Sequence, residues 1–198
     1  MAHANEREYL RQFLADWPVT GWPASLRAAS VLEVGSAQYG YGIDYRALFP
    51  GLGFRGCDLK AGEGVDVVCD LTGDAHELAG EQFSAILCCS VLEHCTQPWT
   101  VAANLLNHLL PEGLLYVTIP WIWRYHAYPG DYWRMSVDGV KLLFPGVRWK
   151  RMTYATQKAG EFRRPDQPHD DGEPWRFING ERVYLVSQMV CMIGRKGA

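Results

Sequence analysis

Val31-Leu32-Glu33-Val34-Gly35-Ser36-Ala37 is an apolar run that breaks into small residues. It reads as a short strand, Ser30 to Val34, feeding a turn at Gly35. Small residues at such a turn let the backbone come close to a ligand. The same grammar recurs downstream. Phe54-Arg55-Gly56-Cys57-Asp58 is a second strand that closes on an acid. That acid follows Glu33 by about two dozen residues, the spacing at which a carboxylate accepts both hydroxyls of a ribose. Val65-Asp66-Val67-Val68-Cys69-Asp70-Leu71 is a third strand, and Asp70 at its end can take the exocyclic amino group of adenine. The stretch from Ser30 to Asp70 therefore predicts a Rossmann-like pocket for a cofactor that contains adenosine. The competing readings are a loop acid or helix cap for Asp58, and a turn residue before Thr72-Gly73 for Asp70.

Outward from this stretch the chain continues to alternate. Tyr9, Leu10, Phe13, Leu14 and Trp17 fall on one face of a helix over Glu6 to Trp17, which either packs on the core or lids a site. A helix is predicted over Tyr41 to Phe49, and strands over Gly53 to Cys57, Val65 to Cys69 and Phe83 to Cys88. A further helix begins near Pro98, with Thr96 or Gln97 as cap and Trp99, Ala102, Ala103, Leu106 and Leu110 on its inner face. Pro111-Glu112-Gly113 reads as a turn before a fifth strand, Leu114 to Ile119. Ser136 caps a helix to Phe144, and Val147 to Thr153 and Val183 to Ile193 are two closing strands. Ala155 to Glu181, rich in Pro, Gly, Asp and Arg, is long for a connection inside a compact domain. Strand–helix alternation of this kind predicts an α/β fold, a mostly parallel sheet with helices on both faces, binding ligands at the strands' carboxyl ends.

Composition narrows the function classes. The chain has 198 residues, 48% of them hydrophobic and 21% charged, with a formal net charge of -3. No clustered Lys/Arg face is present, so nucleic acid is not an expected partner. No run reaches the length of a membrane span, and Met1 to Arg11 is too polar for a signal peptide. Six cysteines, mostly in strand-like apolar runs, fit buried free thiols in a reducing compartment, and the expected location is cytoplasmic. No metal site is expected. Cys88, Cys89 and Cys95 lack paired Cys-x-x-Cys spacing, and His169-Asp170-Asp171 reads as a solvated acidic loop.

After the fifth strand comes the run Pro120-Trp121-Ile122-Trp123-Arg124-Tyr125-His126-Ala127-Tyr128-Pro129-Gly130-Asp131-Tyr132-Trp133-Arg134. Rings and titratable groups this dense at a strand's carboxyl end mark a binding site, with Trp121, Tyr125, Tyr128, Tyr132 and Arg134 as candidate lining. The competing reading is an aromatic mini-core held by an Asp131–Arg134 ion pair.

Ser90-Val91-Leu92-Glu93-His94 follows the fourth strand, and Leu109-Leu110-Pro111-Glu112-Gly113-Leu114-Leu115 leads into the fifth. Taken in order with Ser30 to Gly35, Asp58 and Asp70, they make the segment from Ser30 to Phe144 resemble a class I S-adenosylmethionine-dependent methyltransferase of small, single-domain type. The resemblance implies a doubly wound, seven-stranded, mostly parallel sheet with an antiparallel last strand. It implies S-adenosyl-L-methionine as cofactor, with Glu33, Gly35 and Ser36 at the glycine-rich turn and Asp58 with Leu59 at ribose and adenine. Asp70 and Leu71 would meet the adenine edge, and Ser90 and Leu92 would line the cofactor. One departure is Ala37, where the family has its second glycine.

The loop from Pro120 also resembles a Pro-…-His-…-Pro-x-Asp-Tyr-Trp-Arg pattern of small methyltransferases linked to glycan or natural-product pathways, which implies a small hydroxylated acceptor. A hydroxyl acceptor is helped by a general base. His126 is the first candidate and His94 the second, because imidazole titrates nearest neutral pH, and Asp131 would orient the histidine or bind substrate. The chain is expected to form one domain, 1–198: an N-terminal helix or lid (1–28), a cofactor core (30–119), a substrate loop (120–135) and a long loop (155–182). A nicotinamide-dependent oxidoreductase is the first alternative, disfavoured by the missing Gly-x-Gly-x-x-Gly turn. A non-catalytic module of the same fold is the second.

Overall fold

Strand β4 (Phe83–Cys89) is apolar at nearly every position because both its faces are covered. Ile86 and Cys88 point into one core, Ala85 and Leu87 into a second core on the other face, as the two-residue strand period requires. The computed structural model describes residues 4–38, 44–127, 129–156, 160–164, 175–178, 181–184 and 189–197. Around β4 lies an eight-stranded sheet of order β3-β2-β1-β4-β5-β10-β6-β7. Strands β1 (Ser30–Val34), β2 (Phe54–Asp58), β3 (Val67–Val68), β4 and β5 (Leu109–Pro120) pair parallel. β10 (Met189–Lys196) inserts antiparallel between β5 and β6 (Val147–Ala155), and the short β7 (Phe162–Arg163) closes the edge. The expected parallel sheet with an antiparallel last strand is present, with one more strand than the seven expected.

The chain builds β1, β2 and β3 in one direction, then returns to place β4 on the far side of β1. At such a reversal the loops leaving neighbouring strands diverge and open a crevice. α3 (Pro98–His108) and α4 (Val137–Leu143) lie on the face of the first core. α1 (Ala4–Asp16) and α2 (Ala24–Arg27) lie on the face of the second. α1 buries Tyr9, Leu10, Phe13 and Leu14, so its body packs as core rather than as a detached lid. The six cysteines are free, and no helix among the described residues is long and apolar enough to cross a membrane.

Several elements depart from the sequence expectation. α3 buries Pro98, Val101, Ala102 and Leu105, whereas Trp99 is 53% exposed and Ala103 also faces outward. The helix phase follows the small and aliphatic residues that fit against the sheet, and Trp99 packs edge-on against Trp133 instead, 6.0 Å between centroids. Gln97 occupies the cap position without a side-chain cap bond, while Ser136 caps α4 as expected, its Oγ accepting from the Gly139 amide at 3.1 Å. Pro111-Glu112-Gly113 is not a turn before β5 but an irregularity inside it: Glu112 has φ 63° and the register to β4 slips between Phe83 and Ala85. The third strand is only Val67–Val68, and before it Asp66 Oδ2 accepts from the Gly56 amide at 2.7 Å. Val183 to Ile193 is not one strand. Glu181–Tyr184 (β9) pairs with Trp175–Ile178 (β8) in a separate two-stranded sheet, and the closing strand is Met189–Lys196. Of the helix expected over Tyr41 to Phe49, Arg46–Leu48 is a 3-10 turn and 41–43 lie outside the described residues.

Gly56 sits where β2 passes under the turn after β1. A Cβ there would lie 2.0 Å from the Gly64 carbonyl oxygen and 2.5 Å from Ser36 Oγ. Gly56→Ala is expected to destabilise the protein by about 1–3 kcal/mol in urea unfolding, since a backbone oxygen must move. A change within about 0.5 kcal/mol would show that the turn yields freely.

Candidate functional site

The turn after β1 is held against the end of β2. The Gly35 and Ser36 amides both donate to the Cys57 carbonyl, at 2.8 and 3.1 Å. The Ala37 amide donates to Asp58 Oδ2 at 3.2 Å, and the Lys60 amide to Asp58 Oδ1 at 3.3 Å. Each carboxylate oxygen has two lone pairs, so one on each remains for a ligand hydroxyl. Gly35 has φ +73°, and a Cβ on it would come within 2.6 Å of Val91 Cγ2 on the turn after β4. Only glycine brings these two turns so close. Ser36 is buried, with its Oγ unpartnered among the described residues, and Leu59 beside Asp58 leaves its apolar side chain 53% exposed. A narrow cradle, an acid with spare acceptors, an unpartnered buried hydroxyl and a bare apolar side chain together suit an adenosine group.

The remaining expected cofactor residues divide. Ser90 ends β4 with φ 54°, a costly conformation for a residue with a Cβ, and its amide donates to the Thr118 carbonyl at 3.0 Å. Asp70 forms a turn, its Oδ1 accepting from the Thr72 amide at 2.8 Å and from Thr72 Oγ1 at 2.6 Å. Leu71 and Leu92 are buried within the first core, so their side chains support the site from below. Glu33 is partly buried, and burial pushes its pKa to about 7, with Arg46 pulling it down and Asp44 adding to the rise.

The loop after β5 folds back onto the turn after β4. The Tyr132 amide donates to the Glu93 carbonyl at 2.7 Å and Trp133 Nε1 to the Cys95 carbonyl at 2.8 Å. His94 Nδ1 meets the Gly130 carbonyl at 2.5 Å, so this nitrogen carries the proton. Asp131 accepts at Oδ2 from the His126 amide at 2.8 Å and lies 3.2 Å from His126 Nδ1. Arg134 grips the same carboxylate with two nitrogens, at 2.5 and 2.7 Å, and holds Asp131 well below the usual carboxylate range. Arg134 also donates to the Arg124 and Trp133 carbonyls, so its donors shape the loop. The anticipated ion pair and the anticipated His126–Asp131 contact therefore coexist on one carboxylate.

The two imidazoles sit edge-to-face, 5.0 Å between centroids. Trp121 packs edge-on against Tyr154 at 5.5 Å, whereas Tyr125 and Tyr132 are 75% and 54% exposed. Tyr128 lies outside the described residues. The sequence alone assigned Glu93 no role of its own. The structure buries it completely, with Oε1 3.9 Å from His94 Nε2 and 4.0 Å from His126 Nε2. The available signal was an acid paired with His94 directly after a nearly all-apolar strand.

No family model and no curated protein matches the sequence. Solved structures do match in shape. The N-methyltransferase NodS from Bradyrhizobium japonicum WM9, in complex with S-adenosyl-L-homocysteine, is 16% identical, with TM-score 0.58 over 99% of this chain and 89% of that one. The 1,6-didemethyltoxoflavin-N1-methyltransferase of Burkholderia thailandensis is 17% identical, with TM-score 0.58 over 98% and 79%. A putative S-adenosylmethionine dependent methyltransferase from Listeria monocytogenes is 11% identical, with TM-score 0.60 over 98% and 99%. The chain thus has the Rossmann-like fold of the class I S-adenosylmethionine-dependent methyltransferases.

Glu33 makes stability depend on pH. Folded, it keeps its proton to about pH 7, against an ordinary value of 4.5, so the folded state binds more protons between these limits. Its contribution is fully present below about pH 4.5 and is lost as pH rises through about 7. Glu33→Gln is expected to flatten the fall in unfolding free energy between pH 5 and pH 8 by up to roughly 3 kcal/mol. Parallel urea titrations at the two pH values check this, and equal slopes in both proteins would rule it out.

Proposed function

We propose that the protein transfers a methyl group from S-adenosyl-L-methionine to a small-molecule acceptor, with a hydroxyl of a sugar or natural product as the favoured target. The observation that carries this reading is the junction of β1 and β2, where Asp58 is braced by the Ala37 amide beside Gly35, whose positive φ and closeness to Val91 leave no room for a side chain. The fold shared with methyltransferases and the order of motifs from Ser30 to Phe144 support it. Gly35 and Ser36 would border the methionine part. Asp58 would take the ribose hydroxyls and Leu59 would cover one adenine face. Asp70 would meet the adenine edge with its free oxygen, and Glu33 and Ser90 would close the cradle.

When bound, S-adenosyl-L-methionine supplies a methyl group already activated by the sulfonium charge. The protein's task is then mainly alignment, since displacement at carbon needs acceptor, carbon and sulfur in line. The loop from Pro120 to Met135 would present the acceptor, with Trp121, Tyr125, Tyr128, Tyr132 and Arg134 shaping its site. Asp131 accepts from His126 Nδ1, which leaves the Nε2 lone pair exposed toward Glu93 and the open side of the loop. His94 presents Nε2 in the same way, and burial lowers its pKa, so it stays neutral near pH 7. A hydroxyl acceptor meets two imidazole lone pairs, and His126, the more exposed, is the one placed to draw on its proton. The free cysteines accord with action in the cytoplasm.

S-adenosylhomocysteine at about 100 times its dissociation constant is expected to stabilise the protein by about 2.7 kcal/mol in thermal unfolding. Asp58→Ala should remove most of that shift, and a shift with NAD but none with S-adenosylhomocysteine would sink the proposal. His126→Ala should lower turnover at least about 100-fold while cofactor affinity holds. Unchanged turnover would remove His126 from the reaction.

A further inference from the structure

Glu93 poses a problem that the cofactor reading leaves unsolved. Its side chain is completely buried, and neither carboxylate oxygen has a well-formed hydrogen bond among the described residues. Burial lifts its pKa to about 8, with its own amide and Arg134 offsetting part of the rise. Arg134 is no partner for it, because its terminal nitrogens donate to Asp131 and to the Trp133 and Arg124 carbonyls. What does face Glu93 is a pair of imidazole nitrogens, His94 Nε2 at 3.9 Å and His126 Nε2 at 4.0 Å. Those distances are too long for hydrogen bonds, so the three groups do not satisfy one another.

The imidazoles are oriented for a different task. His94 Nδ1 is tied to the Gly130 carbonyl and His126 Nδ1 to the Asp131 carboxylate. Both partners only accept, so both protons sit on Nδ1 and both Nε2 atoms turn lone pairs toward Glu93. A histidine whose second nitrogen is pinned by a carbonyl or a carboxylate is the usual outer arrangement of a metal ligand. The three donor atoms lie within 4.8 Å of one another. A tetrahedral ion with bonds of about 2.1 Å spaces its donors about 3.4 Å apart, so closure asks each contact to Glu93 to shorten by roughly half an ångström and the two imidazole nitrogens to approach by up to about 1.4 Å. Glu93 side-chain exposure is 0%, against 18% for His94 and 28% for His126, so the cluster is sealed on the carboxylate side and open on the imidazole side.

We propose that Glu93, His94 and His126 form a binding site for one divalent first-row transition ion, with an open position facing the acceptor loop. Two nitrogen donors and one oxygen donor suit Zn²⁺ or Mn²⁺ and disfavour Mg²⁺ and Ca²⁺, which take oxygen ligands. This departs from the expectation of no metal, which rests on segments of the sequence taken one at a time, whereas the three residues come from two loops. The ion's binding stands independently of methyl transfer, but its purpose rests on the proposed function. With the ion bound, both Nε2 lone pairs would serve it and neither imidazole would act as base; the ion would instead hold an acceptor hydroxyl by its oxygen and raise that hydroxyl's acidity, taking the place of the His126 base in the proposed function.

The test is calorimetric titration of the chelator-treated full chain with ZnCl₂, MnCl₂ and MgCl₂, with S-adenosylhomocysteine titrated into the same samples. The expected result is one ion per chain, Zn²⁺ tighter than Mn²⁺ and Mg²⁺ far weaker than either. Glu93→Gln, which keeps the side chain's shape, should weaken Zn²⁺ binding by roughly 100-fold or more. His126→Gln, at a partly exposed position, should do the same and decides the matter if Glu93→Gln fails to fold. No binding of Zn²⁺ or Mn²⁺, or equal affinity in parent and a folded variant, would overturn the site; equal affinity would assign the ion to cysteines elsewhere. Binding of S-adenosylhomocysteine without an ion would sink the metal site alone, and binding of an ion without S-adenosylhomocysteine would sink the methyltransferase reading alone.

Discussion

β4 is clamped parallel between β1 and β5, with both faces in apolar cores. Because its neighbours on the two sides come from chain segments that leave in opposite directions, the loops beyond the three strands must part. The crevice between them is a consequence of topology, and the turns after β1, β2 and β4 border it. The Gly35 turn meets the Val91 turn at a separation that only glycine permits, which fixes how narrow the crevice is. The loop from Pro120 then has one wall to pack against, the turn that carries Glu93 and His94, and it does so through main-chain bonds to Glu93 and Cys95.

That packing distributes the polar groups unevenly. Asp131 collects the His126 amide, the His126 ring and both Arg134 nitrogens, so its charge is fully compensated. Glu93, a few ångströms away across the histidines, has no well-formed hydrogen bond among the described residues. A buried acid without a donor costs free energy that an apolar residue would not, so its presence asks for a purpose outside the fold. What faces it is a pair of imidazole nitrogens, at 3.9 and 4.0 Å.

Much of the fold was legible from local sequence pattern. The strands Ser30–Val34 and Phe83–Cys89, and the helix capped by Ser136, follow from two-residue and helical periodicities that hold within a few residues. The errors fall where tertiary contacts outrank local pattern. Trp99 matches the inner face of a helix by spacing, yet the sheet below α3 accepts Val101, Ala102 and Leu105, and the large indole finds Trp133 at the surface. Pro111-Glu112-Gly113 has the composition of a turn, yet hydrogen bonds on either side absorb it into β5. Val183 to Ile193 has the composition of one strand, yet its two ends pair with different partners.

The sequence by itself determined the parallel α/β architecture and the acids at the ends of β1 to β3, because periodicity and strand-end position are written in consecutive residues. Only the tertiary structure decided what surrounds Glu93. His94 and Gly130, 36 positions apart, are joined by a hydrogen bond that exists once the loop after β5 docks, and that same docking swings His126 over the buried carboxylate. No local pattern encodes such a convergence, since it depends on how two loops from adjacent strands pack and not on the spacing within either.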